Sequence, residues 1–279
     1  MTSSRTLLSL GLRRAVSSCF MAGMAFMAAA PAAIAANHSV SLDVPYVPTP
    51  PEVVNRMLEV AQVGPEDFVI DLGSGDGRIA IAAVKEHGAK GSMGVDIDPQ
   101  RIAEAQANAK DAGVQDKVEF RNQNLFETDF GQATVLTMYL LPDVNMSLRP
   151  KILELKPGTR VVSHAFDMDD WEADHYERVD GRSVYLWVVP AKAEGRWKLD
   201  GPDGAMDLEL SQDLQKLSGT LRDVKGQSQA VTGALRGKAI RLTVGEGAEA
   251  RTFTGTVEGG SMLLAAAGTS KHEWKGSRQ

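Results

Sequence analysis

The stretch Phe68-Val69-Ile70-Asp71-Leu72-Gly73-Ser74-Gly75-Asp76-Gly77-Arg78-Ile79 decides how the chain is read. Phe68 to Leu72 is a short apolar run holding one acid, the pattern of a buried strand. Three alternating glycines follow, which let the backbone turn tightly and approach a ligand without interference from a Cβ. Ile79 to His87 then reads as a helix. In a doubly wound sheet, ligands bind beyond the carboxyl ends of the strands, beside this first loop. A dinucleotide loop runs G-x-G-x-x-G, with the pyrophosphate on the helix N-terminus. Here the third glycine, Gly77, comes one position early, and acids stand at Asp71 and Asp76. Carboxylates in such a loop repel phosphate and suit a cationic ligand.

S-adenosylmethionine has those properties: an ammonium, a sulfonium, two ribose hydroxyls and no phosphate. A second anchor lies in Ser92-Met93-Gly94-Val95-Asp96-Ile97, a strand ending on an acid 19 residues after Gly77. A carboxylate at that place accepts both ribose hydroxyls in related nucleotide folds. Asn124, after a third strand Val118-Glu119-Phe120-Arg121, offers an amide oxygen to an adenine amino group, or is a turn asparagine.

Working outward, Asp98-Pro99 caps a helix that Gly113 stops. Ala133 to Tyr139 and Arg160 to His164 read as further strands, with a helix from Pro142 to about Leu155 between them. Tyr176 to Val179 and Val184 to Val189 flank Asp180-Gly181-Arg182-Ser183 as a hairpin. Upstream, Thr49-Pro50-Pro51-Glu52 predicts a helix start with Thr49 as N-cap and Glu52 completing a capping box. The expected fold is α/β: a Rossmann-like, mostly parallel seven-stranded sheet with an antiparallel edge.

From Pro190 onward the pattern changes. Met206, Leu208 and Leu210 alternate, as do Ile240, Leu242 and Val244, and about half of the 27 glycines fall here. Leu217-Ser218-Gly219-Thr220-Leu221, Val231-Thr232-Gly233-Ala234-Leu235 and Phe253-Thr254-Gly255-Thr256-Val257 form a weak repeat whose central glycine permits a bend or close packing. Residues 191–279 are therefore expected to be a small antiparallel, barrel-like all-β domain. Such a barrel holds an apolar ligand, docks an envelope partner, or is filled and merely supports its neighbour.

Net charge is −6 over 279 residues, with the acids concentrated in 36–190. An acidic surface argues against nucleic acid as partner. The single cysteine, Cys19, lies in residues 1–35, so no disulfide framework or thiolate site is expected in the rest. Residues 1–35 carry Arg5, Arg13 and Arg14, an apolar run from Ala15 to Ala30, and Ala33-Ile34-Ala35 as a small-x-small site. That is the order of a secretory signal peptide, which places the domain 36–190 and the barrel outside the cytoplasm, periplasmic or secreted, with no stable membrane span after cleavage. An uncleaved leader anchoring the chain to a membrane is the alternative.

Val69 to Ala83, Gly94 to Pro99 and Asn124-Leu125-Phe126 together resemble the class I S-adenosylmethionine-dependent methyltransferases, over about Tyr46 to Pro190. With Tyr46-Val47-Pro48-Thr49-Pro50 ahead of the helix, the chain is similar to the mitochondrial protein lysine methyltransferases acting on the ATP synthase c subunit and the adenine nucleotide translocase. The resemblance implies that Asp71, Gly73, Ser74, Gly75, Asp76 and Gly77 hold the methionine moiety and Asp96 the ribose. Ile97 and Leu125 flank the adenine, Asn124 stands where the family usually has Asp, and Tyr46 and Thr49 close over the cofactor.

Where nucleobase amino-methylating enzymes carry Asp/Asn-Pro-Pro-Tyr, this chain reads Met138-Tyr139-Leu140-Leu141-Pro142, which disfavours a nucleobase acceptor. Tyr139, His164 and Asp167 are the candidate catalytic groups. Tyr139 shapes an acceptor channel or packs, and His164 is a base or a structural histidine. Asp167, with Asp169 and Asp170 beside Trp171, attracts a cationic acceptor or is a solvated loop. No ligand spacing supports a metal. The expected acceptor is a protein side-chain amine such as lysine. The alternatives are a small-molecule N- or O-methyltransferase and a non-catalytic adenosyl-ligand-binding envelope protein.

Overall fold

A computed structural model describes residues 46–202, 204–268 and 274–279. The expected leader, residues 1–35, lies outside the described residues. Among those described, no helix is long and apolar enough to cross a membrane.

The first half alternates helix and strand: α1 (Pro51–Val60), β1 (Phe68–Leu72), α2 (Arg78–Lys85), β2 (Gly91–Asp96), α3 (Pro99–Asp111), β3 (Val118–Asn122), β4 (Val135–Met138), α4 (Pro142–Ile152), β5 (Arg160–His164), β6 (His175–Val179) and β7 (Arg182–Val188). The seven strands form one sheet in the order β3-β2-β1-β4-β5-β7-β6. Strands β1 to β5 are parallel, and β7 enters antiparallel between β5 and β6. This is the Rossmann-like sheet the pattern predicts. Successive β1 residues serve opposite faces, as the two-residue strand period requires. Val69 packs with α1, α2 and α3, whereas Ile70 and Leu72 pack with α4, Trp171 and Trp187.

Asp98 caps α3 as expected, its carboxylate accepting from the Gln100 N–H at 2.8 Å. The start of α1 differs from the expectation. Pro50 occupies the N-cap position and no side chain caps the helix. Pro51 has no N–H to satisfy, so a cap has less to do there. The Thr49 hydroxyl turns inward instead and pairs with His164.

The second half is a closed eight-stranded antiparallel barrel of β8 (Gly195–Gly201), β9 (Gly204–Asp213), β10 (Lys216–Arg222), β11 (Ser228–Arg236), β12 (Ala239–Val244), β13 (Arg251–Glu258), β14 (Ser261–Ala266) and β15 (Trp274–Arg278). The repeat glycines explain the closure. Gly219, Gly233 and Gly255 each face a leucine of a neighbouring strand, Leu210 on β9, Leu242 on β12 and Leu264 on β14. A Cβ on Gly255 would lie 1.7 Å from the Leu263 carbonyl oxygen, so only glycine lets the strands approach this closely. Among the described residues the barrel interior is largely filled: Trp197, Leu208, Leu235 and Val257 are buried, and the void lined by Leu199, Leu208, Leu242, Phe253 and Trp274 is about 20 Å³. That void has room for about one water and none for an apolar ligand.

Barrel and sheet form one compact unit. Leu214 packs on the Trp171–Trp187 face of the sheet, and Gln215 Nε2 donates to the Glu172 carbonyl at 2.8 Å. Lys216 pairs with Glu172. Arg236 pairs with Asp174 just before β6, and Gly237 lies against Gly158 and Val188, so the barrel meets the sheet where β5 begins and β7 ends.

Candidate active site

The loop after β1 is held by β2. The N–H groups of Gly73 and Ser74 both donate to the Val95 carbonyl at 2.9 Å. Asp96, at the end of β2, accepts from Gly75 N–H at 2.8 Å through one oxygen and from Asp98 N–H at 2.9 Å through the other. Gly75 and Gly77 have φ of +53° and +81°, the left-handed region that side-chain-bearing residues rarely adopt.

A cavity of about 310 Å³ opens above this loop, within the usual range of ~300–1,000 Å³ for small-molecule sites. The fold brings together Tyr46, Thr49, Asp71, Gly73, Ser74, Gly75, Asp76, Asp96, Ile97, Asn124, Leu125 and Tyr139 on its wall. Three proposed site residues do not line it. Gly77 turns its Cα toward the core, where a Cβ would meet Phe120 Cζ at 2.4 Å. His164 is buried, at 2 % exposure, behind Tyr139, and Asp167 is exposed on the loop after β5. Asn124 is both a turn residue and a wall residue, since its Oδ1 accepts from the Phe126 N–H at 2.9 Å.

The two acids of the loop are not equivalent. Asp71 is buried at the floor, and loss of solvent raises its carboxyl from 3.8 to about 7. A 2.7 Å hydrogen bond from Thr137 Oγ1 works against that rise, while the charges of Asp96 and Asp76 add to it. Burial alone would raise Asp76 too, but Arg78 overrides it and holds Asp76 below its ordinary value. The Arg78 guanidinium grips that carboxylate through Nε at 2.9 Å and Nη2 at 2.5 Å. Asp71 and Asp96 are therefore the site carboxyls left without a cationic partner among the described residues, because Asp76 is already paired with Arg78.

Arg78 also donates from Nη1 to the Thr49 carbonyl at 2.9 Å, which fastens Tyr46–Thr49 across the loop. Tyr46 lies over Gly75, where a Cβ would come within 2.5 Å of its ring, and the Arg101 guanidinium stands 4.8 Å from the ring centroid. Burial and the neighbouring Asp76 raise the Tyr46 hydroxyl. Arg78, Thr137, Arg101 and Phe166 join the site only through tertiary contacts, and the local sequence marks no role for Arg78, Arg101 or Phe166. Thr137 carried a signal, as the one polar residue in the buried run Val135-Leu136-Thr137-Met138.

Strand order divides the cavity. β2 and β3 lie on one side of β1 and bring Asp96, Ile97, Asn124 and Leu125, whereas β4 and β5 lie on the other and bring Tyr139, Leu140, Leu141 and Phe166. One half is polar and suited to a nucleoside, and the other is aromatic and apolar. The residues present fit S-adenosylmethionine. Among the described residues, Ser74 Oγ is buried at the wall with no hydrogen-bond partner, Asp71 faces no cation, and each Asp96 oxygen meets only one backbone N–H. Among the described residues, no cluster of three metal-ligating side chains exists.

The sheet order, the glycine loop and the divided cavity define a class I S-adenosylmethionine-dependent methyltransferase. The ANTKMT methyltransferase domain matches residues 71–175. A protein-lysine N-methyltransferase of Saccharolobus islandicus is 49% identical over 151 residues, covering 52% of this chain and 94% of the relative. The mouse adenine nucleotide translocase lysine N-methyltransferase is 33% identical over 132 residues, 47% of this chain and 57% of that protein. The crystal structure of an RNA methyltransferase from Salinibacter ruber with S-adenosyl-L-homocysteine is 54% identical, with a TM-score of 0.51 over 52% of this chain and 95% of that one. The chain belongs to the class I methyltransferase family that includes these protein-lysine N-methyltransferases. The barrel lies beyond the matched domain.

Proposed function

We propose that the protein transfers the methyl group of S-adenosylmethionine to a lysine side chain of a protein acceptor. The observation that carries this reading is the aromatic and apolar half of the cavity. Tyr139, Leu140, Leu141 and Phe166 present no carboxylate there. An ammonium entering such a wall loses hydration, which favours the neutral amine that is the competent nucleophile. The relatives named for lysine methylation support the same acceptor class.

The cofactor, when bound, supplies a methyl on a sulfonium with a good leaving group, so positioning and exclusion of water supply most of the catalysis. In this reading Asp71 holds the ammonium and Ser74 Oγ finds its missing partner. Asp96 takes the ribose hydroxyls, Ile97 and Leu125 flank the adenine, and Asn124 reaches its edge. Tyr46 and Thr49 close the roof, and Tyr139 with Phe166 orients the acceptor amine. The leader-like order of residues 1–35 supports export of the enzyme, which cell fractionation tests.

The deciding experiment incubates the purified full chain with methyl-labelled cofactor and an envelope protein extract. Acid hydrolysis should release the label as methyllysine. Label confined to RNA or to small molecules would overturn the proposal.

A further inference from the structure

His164 is a buried titratable group that the reaction does not touch, and its surroundings give it another part. Its Nδ1 lies 3.0 Å from Thr49 Oγ1, across 115 residues of chain. Its ring lies 3.9 Å from the Tyr139 ring, centroid to centroid. Tyr139 in turn stacks at 27° on Phe166, 6.4 Å away. Phe166 is itself pinned, because Ser163 Oγ donates to its carbonyl at 2.6 Å. One imidazole thus touches the segment that roofs the cofactor half and the ring that walls the acceptor half. Thr49 has a second tie, through its carbonyl to Arg78 and so to Asp76 in the cofactor loop.

We infer that His164 is a positioning residue that couples the roof to the wall, so that the acceptor half takes its competent shape only when Tyr46–Thr49 is down over the cofactor half. The order of binding follows, with cofactor first and acceptor second. An imidazole suits the task because it offers a ring face to Tyr139 and an in-plane nitrogen to Thr49 at once. Burial, with the nearby charge of Arg182, lowers His164 to about 4, so the ring is neutral at working pH and the coupling carries no charge. The inference rests on the acceptor entering beside Tyr139 and Phe166, as proposed above.

Two substitutions separate the functions of the ring. H164F keeps a ring against Tyr139 and loses the bond to Thr49, whereas H164N keeps a polar group near the Nδ1 position and loses the ring. With a lysine-rich peptide as acceptor at saturating S-adenosylmethionine, H164F should raise the peptide KM about five- to tenfold, the scale of one lost hydrogen bond, with kcat falling less. T49V should raise it equally, and the H164F/T49V double variant no further, since the two groups act as one unit. An unchanged KM in H164F, or effects of the two substitutions that multiply, would overturn the inference.

A second readout is independent of the acceptor's identity. S-adenosylhomocysteine should shift the side-chain ¹⁵N resonances of His164 in the wild-type protein and in T49S, and leave them in place in T49V. Equal shifts in all three would overturn the coupling. A wild-type protein that methylates no lysine but passes this test would refute the proposed acceptor and leave the coupling standing.

Discussion

Asp71 offers the sharpest handle on the site, because its carboxyl is raised from 3.8 to about 7 where it should meet a cation. The shift is a statement about stability as well as binding. Below pH ~4 the carboxyl is neutral in both the folded and the unfolded chain. Between pH ~4 and ~7 the unfolded chain ionises while the fold retains its proton, so stability falls as pH rises. By pH 8 the ligand-free fold carries a buried carboxylate at a cost of about 4 kcal/mol, with the Thr137 bond already counted in that shift. A bound ammonium offsets that cost only when Asp71 is ionised. Cofactor affinity should therefore follow the ionised fraction, falling relative to pH 8 by about twofold at pH 7 and about tenfold at pH 6. Calorimetric titration with S-adenosylhomocysteine at these three values measures it. Thermal unfolding should agree, with a larger ligand-induced rise in Tm at pH 8 than at pH 6. D71N should bind weakly with a flat pH dependence, and T137V should move the midpoint upward, since the Thr137 bond favours the ionised form. A flat affinity between pH 6 and 8 in the wild-type protein, or an undiminished slope in D71N, would refute the assignment of Asp71 to the cofactor's cation.

Other perturbations separate cofactor binding from folding. R78M frees Asp76 and releases the Thr49 carbonyl together. It should raise the KM for S-adenosylmethionine about tenfold or more, the scale of one charge-assisted bond, as initial rates would record. G77A places a Cβ against Phe120 at a φ of +81° and should cost ~2 kcal/mol or more in urea unfolding, with cofactor affinity of the folded fraction little changed because Gly77 faces the core. G255A forces a Cβ onto the Leu263 carbonyl. It should lower Tm by several degrees and speed proteolysis within residues 195–278; an unchanged melting curve would mean that the strands do not approach this closely in solution.

Much of this protein is written locally. The β1 loop is legible because tight turns need glycine and because an acid inside an apolar run is conspicuous. The capping of α3 is legible because Asp98 and Gln100 are neighbours, and the barrel because alternation has a period of two. The start of α1 misled for the same local reason: Thr-Pro-Pro-Glu satisfies the rule for a helix start, and the competing partner, His164, lies 115 residues away. No local pattern announces that Thr137 will meet Asp71 across two parallel strands, that Arg78 will neutralise Asp76 while holding Thr49, or that Leu214 will seat the barrel on the sheet. The sequence alone determined the element types, the glycine turn after β1 and the division between sheet and barrel. The tertiary structure decided which acid remains ionisable, which histidine is neutral and which residues face the cavity, because burial and long-range pairing exist only once the strands lie side by side.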